Sequence, residues 1–202
     1  MASVTAHRNF PGGTVAMLLV GEAFVAGSAI VVGDVTLGAD TSVWPFTCIR
    51  GDVAPVRVGA RCSIQDQVML HTRSGETLEV GDDVAIGHQA CVHCRRVGDG
   101  CLIGIGATVL DGAVLGEGCL VAAGAVVRPE SRVAAGSMVA GVPARVVRPV
   151  SAAERDYIAR IVAAYRELAR QHAAGRFDGT SLADSAMSES NAGEPAGRGT
   201  PA

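Results

Sequence analysis

Residues 97–139 read VGDGCL-IGIGAT-VLDGAV-LGEGCL-VAAGAV-VRPESR-VAAGSM-V, an unbroken run of hexads opened by Val97, Ile103, Val109, Leu115, Val121, Val127, Val133 and Val139. Followed towards the N-terminus, the beat passes through Val80, Ile86 and Val92, with one residue dropped before Val97. It continues through Val58, Ile64 and Leu70, with four residues added before Val80, and through Val25, Val31, Leu37, Val43 and Ile49, with three added before Val58. A period of six matches neither the 3.6 of a helix nor the simple alternation of a hairpin sheet. It fits short strands that turn a corner every hexad, three hexads closing one coil of a β-helix. The aliphatic faces the interior and polar residues face out. Glycine often follows the beat (Gly38, Gly59, Gly81, Gly87, Gly98, Gly104, Gly116), and the fifth position is usually small or valine; these small residues are expected to let the corners turn. The alternative, a sandwich of unusually even strands, does not hold one phase through so many consecutive units.

Composition agrees with a narrow interior. Of the 202 residues, 49% are hydrophobic but only 3% aromatic, and 26 are glycine, so aliphatics must fill the core without bulky rings. A net charge of -3 gives no basic footprint for nucleic acid. No apolar run is long enough for a membrane helix, and Met1 to Pro11 lacks the charged-then-apolar order of an export signal. The six cysteines are therefore expected as reduced thiols in a cytoplasmic protein.

The chain divides into a lead-in strand and cap over 1–24, the hexad β-helix over 25–147, a helical segment over 148–172 and a tail over 173–202. Ser151-Ala152-Ala153-Glu154 carries a capping box. Tyr157, Ile158, Ile161, Val162, Tyr165 and Leu168 then recur at helical spacing, predicting a helix from about Ala152 to His172 that packs its stripe on the prism. The tail has scarcely an aliphatic beyond Leu182 and is expected to be disordered.

Three of the five histidines fall within the hexads. His71 follows the beat Leu70 and His93 follows Val92; they are 22 residues apart, four of them inserted, which leaves one full coil of 18. Both imidazoles should share one face, one rung apart at about 4.8 Å, close enough to converge on one ion with Zn–N bonds of about 2.0–2.1 Å. His88, third in the hexad of Ile86, lies one face earlier, so within one chain it should diverge from the other two. A neighbouring subunit's His88 can supply the third ligand, and three-fold closure is the simplest assembly that does so. The same phase puts Arg50 on the His71 face one coil earlier, Asp52 at the following corner, and Gln65 and Asp66 on the face of His88. A surface ion-pair network and a zinc knuckle built on Cys91-Val92-His93-Cys94 are the alternatives; the knuckle lacks a second Cys or His pair at finger spacing.

Val43-Trp44-Pro45, Ile49-Arg50-Gly51-Asp52, Ile64-Gln65-Asp66, Leu70-His71, Gly87-His88 and Val92-His93 together resemble the γ-class carbonic anhydrases, a hexapeptide-repeat family, across roughly Phe10 to His172. The resemblance implies an all-β solenoid, a left-handed parallel β-helix with a C-terminal α-helix, assembled as a homotrimer. It implies zinc, replaceable by iron or cobalt, held by His71 and His93 of one subunit and His88 of the next, with carbon dioxide and bicarbonate as substrates. By the same resemblance Gln65 holds the reacting water or bicarbonate, Asp52 and Arg50 orient the site, Arg50 pairs across the interface with Asp66, and Tyr165 lies near the substrate.

The sequence departs from the family at Val53, where a glutamate follows the Arg-Gly-Asp, and at Ser63, where the family has asparagine. It also shortens the acidic insertion after the first histidine to Thr72-Arg73-Ser74-Gly75-Glu76, leaving Glu76 as the candidate proton carrier and predicting slow turnover. Three further readings stay open: a hexapeptide acyltransferase, whose characteristic ending Gly141-Val142-Pro143-Ala144 resembles, a CoA-thioesterase, and a non-catalytic trimer stapled by metal.

Overall fold

The computed structural model describes residues 2–3 and 17–177; most of the predicted lead-in and of the predicted tail lies outside the described residues. The chain winds into a parallel β-solenoid of about 6 turns with one C-terminal helix. The first wall stacks the starts of Ile30–Leu37 and Cys48–Val58, then Met69–Leu70, Cys91–Val92, Thr108–Val109 and Val126–Val127. The second continues from the ends of the same two long strands through Leu78–Val80, Arg96–Val97, Val114–Leu115 and Arg132–Val133. The third runs from Ala23–Ala26 through Ser42–Val43, Ser63–Ile64, Ala85–Ile86, Leu102–Ile103 and Leu120–Val121 to Ser137–Ala140. Met17–Val20 and Arg145–Pro149 close the two ends of this wall antiparallel.

Every beat residue is buried except Val31 and Val133, which are half-buried near the ends. Each such aliphatic contributes about 1.5–3 kcal/mol by leaving water, and the parallel ladders satisfy the backbone groups that go in with it. The fifth positions, among them Cys62, Val84, Ala90, Cys101, Ala107, Ala113 and Cys119, complete the interior.

The corners differ from the sequence expectation. They turn at the fourth position of the hexad, where Asp40, Phe46, Arg61, Gln67, Asp83, Gln89, Gly100, Gly106, Gly112, Gly118, Gly124, Glu130 and Gly136 all have φ between 56° and 67°. The glycines after the beat serve close approach instead: a Cβ at Gly98 would lie 2.7 Å from the backbone nitrogen of Glu117 on the next coil. The three phase slips share one corner, between the first and second walls. The first is the bulge Asp52–Pro55 opposite Asp34, the second the loop after His71, and the third the residue dropped near Cys94. A Cβ at Gly51 would overlap the Asp34 carbonyl, which is why the bulge begins on glycine.

Helix α1 (Ala152–Ala173) is capped by Ser151, whose hydroxyl accepts from the Glu154 backbone while the Glu154 carboxylate accepts from the Ser151 backbone N–H. Ile158, Val162 and Ala169 are buried, and Tyr165 and Leu168 pack beside them. Tyr157, counted in the stripe from sequence, is 51% exposed because it sits about 100° around the helix from Ile158. Trp44 anchors the helix to the third wall: its ring meets Tyr165 edge-on at 5.3 Å and His172 at 5.4 Å, and its Nε1–H donates to the Ser42 hydroxyl at 3.0 Å. Among the described residues no helix is long and apolar enough to cross a membrane.

Candidate metal centre

His71 and His93 follow paired strands of the first wall, with Val92 in register with Leu70, and the His71 N–H donates to the Val92 carbonyl at 3.2 Å. Their rings face each other, His71 Nδ1 lying 3.1 Å from His93 Nε2. The distal nitrogens each meet a carboxylate: His71 Nε2 is 3.0 Å from Asp52 Oδ1, and His93 Nδ1 is 3.1 Å from Asp111 Oδ1. Arg50, one coil earlier on the same wall, pairs its Nη1 with Asp52 Oδ2 at 2.7 Å and brings Nη2 to 3.5 Å from His71 Nδ1. Burial raises the Asp52 carboxyl, but the hydrogen bond from His71 and the charge of Arg50 outweigh it and hold Asp52 below its usual range.

The proton count follows from this chain of contacts. Ionised carboxylates only accept, so Asp52 takes the N–H of His71 Nε2 and Asp111 that of His93 Nδ1. Two lone pairs then converge across 3.1 Å, an arrangement that calls for a cation between them, either a proton or a metal ion. Such a donor set, two imidazoles each backed by a carboxylate, suits zinc and its neighbours.

His88 stands apart from this pair, on the third wall. Its Nδ1 is 2.9 Å from Asp66 Oδ2, one coil below at the same hexad position, and its Nε2 is 3.1 Å from the Tyr165 hydroxyl. Burial, with the charge of Asp66, keeps Tyr165 protonated above its ordinary range. The phenol therefore donates to Nε2 while Asp66 accepts from Nδ1–H, leaving Nε2 as the basic nitrogen. Gln65 is buried, and its Oε1 accepts the His88 backbone N–H at 3.2 Å, which leaves its NH₂ as a donor. Among the described residues no group of three or more His, Cys, Asp or Glu within the single chain is placed to hold a metal ion.

Glu76 is held in the loop after His71 by Arg73, Nε to Oε2 3.1 Å, and Arg73 also reaches Glu130 at 2.9 Å. The cysteine knuckle does not form. Cys94 points into the core, where burial pushes its thiol up to about 12, whereas Cys91 lies half-buried on the outside of its strand, in register with Met69. All six cysteines are unpaired. Sequence reasoning missed Asp111, which lies one coil beyond His93 but one hexad position later; an acid in the coil adjoining each histidine was the signal that could have found it.

The family model described as bacterial transferase hexapeptide (six repeats) matches residues 96–129. A protein named carbonic anhydrase from Geobacillus kaustophilus is 43% identical over 166 residues, 82% of this chain and 91% of that protein. Gamma carbonic anhydrase 1, mitochondrial, of Arabidopsis thaliana is 43% identical over 159 residues, 76% of this chain but 58% of the plant protein. Among solved structures, a hexapeptide transferase family protein from Anaplasma phagocytophilum superposes with a TM-score of 0.71 and 36% identity, covering 75% of this chain and 89% of that one.

Proposed function

The chain belongs to the γ-class carbonic anhydrase family of hexapeptide-repeat proteins, and we propose that it hydrates carbon dioxide reversibly to bicarbonate at metal sites shared between the subunits of a homotrimer. The observation that carries this reading is the division of the donors. His71 and His93 converge on one point of the first wall, while His88, separately oriented by Asp66, sits on another wall of the same prism. One chain offers two incomplete half-sites, and a second copy completes each.

In this reading His71 and His93 of one subunit and His88 of the next hold zinc, with iron or cobalt as substitutes. Zinc supplies Lewis acidity, which lowers the pKa of water from 15.7 to about 7. Asp52, Asp66 and Asp111 fix which imidazole nitrogen accepts. The Gln65 NH₂ donates to the oxygen on which charge develops and, being neutral, does not oppose ionisation of the water. Arg50 supports Asp52 and pairs across the interface with Asp66, and Tyr165 borders the space where carbon dioxide enters. Glu76 relays the released proton from its loop, where Arg73 pairs with it at 3.1 Å; its tethering there makes slow turnover the expected outcome. The unpaired thiols suit a reducing compartment such as the cytoplasm.

The test is metal analysis of the purified protein together with stopped-flow carbon dioxide hydration and acyl-CoA turnover. About one zinc per chain, lost in His88→Ala, with measurable hydration, is expected. Metal-free wild type would overturn the reading, acyl-CoA transfer or hydrolysis without hydration would favour an acyltransferase or thioesterase, and bound metal with neither reaction would leave a stapled trimer.

A further inference from the structure

We propose that Asp111 is the positioning residue that fixes the tautomer of His93, so that its Nε2 lone pair, and not an N–H, faces His71; the consequence for metal affinity rests on the metal reading above. Asp111 is a partly exposed carboxylate two residues past Thr108–Val109, the strand stacked in the first wall on Cys91–Val92, which His93 follows. Both partners are held by backbone. The His93 N–H donates to the Val109 carbonyl at 2.8 Å, and the Leu110 N–H donates to the Val127 carbonyl at 3.1 Å. The Asp111 carbonyl accepts from the Glu130 N–H at 2.8 Å, and the Gly112 carbonyl accepts from Arg132 Nη1 at 2.6 Å. Gly112 turns the corner at φ 64°, where a Cβ would overlap the Glu130 carboxylate. The carboxylate therefore stands at the next coil, fixed at 3.1 Å from His93 Nδ1.

The consequence is chemical. A neutral imidazole carries one N–H, and a ring without a partner divides it between two nitrogens. An acceptor on Nδ1, here a carboxylate, obliges His93 to present Nε2 as an acceptor, and the same device operates at His71 through Asp52 and at His88 through Asp66. Removing Asp111 lets the proton move to Nε2, where it hydrogen-bonds His71 Nδ1 across the 3.1 Å gap and blocks both donors at once.

Two measurements on the full chain test this. Long-range nitrogen–proton NMR of the metal-free protein at mildly alkaline pH should show His93 protonated on Nδ1 in the wild type and predominantly on Nε2 in Asp111→Ala. Competition with a chromophoric chelator should show zinc bound about 10- to 100-fold more weakly by Asp111→Ala, with Asp111→Asn, which keeps an acceptor oxygen, recovering part of the loss. Thermal unfolding of the metal-free variants separates this from misfolding; should the alanine variant unfold early, the asparagine variant carries the comparison. A wild-type His93 protonated on Nε2, or an unchanged tautomer in Asp111→Ala, overturns the proposal. A wild type that binds no zinc refutes the metal reading instead, and the tautomer comparison still decides the role of Asp111.

Discussion

Tyr165 and His88 form the contact on which the smallest change should have the most legible effect. The phenol occupies His88 Nε2 in the isolated chain, so a metal must displace a hydrogen bond worth about 0.5–1.5 kcal/mol. Tyr165→Phe should therefore bind zinc about 2- to 10-fold more tightly in a chelator competition; weaker binding would place the hydroxyl on the metal side of the site. The buried thiols give a second residue-scale prediction. Burial raises Cys62 and Cys94 from 9.0 to about 12. In the unfolded chain they ionise near the lower value, so their contribution to stability is complete below about pH 9 and is lost as pH rises towards about 12. The melting temperature should fall across that window and Cys62→Ala should flatten the fall; identical slopes would contradict it. At this scale the register of His71 with His93 was legible from an 18-residue count, because identical hexad positions stack. Asp111 was not, since the residue dropped before Val97 moves an acid past its nominal position and only side-chain reach brings it back to His93.

Among the elements, the aliphatic beat fixed the walls almost residue for residue, since a period of six admits one inward position per strand. The corner was misread because two kinds of glycine share the hexad. Gly118 sits at the fourth position with φ 62° and nothing within 4 Å of a built Cβ, so alanine there meets only the left-handed backbone preference. Gly98 has ordinary φ, but its Cβ would press on the backbone of Glu117 and Gly116 at 2.7 Å and 2.8 Å. Chemical denaturation should show Gly118→Ala costing about 1–2 kcal/mol. Gly98→Ala should cost more, because backbone must move and overpacking adds about 1–3 kcal/mol to the ordinary effect of the substitution. Equal costs would mean that coil separation yields more readily than the close packing implies. The helix start was legible because Ser151 and Glu154 cap it chemically, whereas Tyr157 was misassigned because a stripe of apolar residues does not say which edge of it the prism covers.

For the molecule as a whole, the three phase slips fall on one corner beside Arg50, His71 and His93, so the irregular part of the solenoid lies next to the proposed site while the regular coils beyond Val97 form an undisturbed stack. Assembly is the proposed bridge from this single prism to its chemistry, and it was inferable from the sequence only as a consequence of His88 lying one wall away from its partners. The measurement that tests it most directly uses two defective chains, His88→Ala and His93→Ala, each purified alone and then co-expressed under different affinity tags. A shared site predicts that each variant alone retains little or no zinc, and that doubly tagged mixed assemblies regain zinc and hydration, because the first chain supplies an intact His71–His93 pair and the second an intact His88. Mixed assemblies that remain metal-free, or a single variant that retains full zinc, would contradict it.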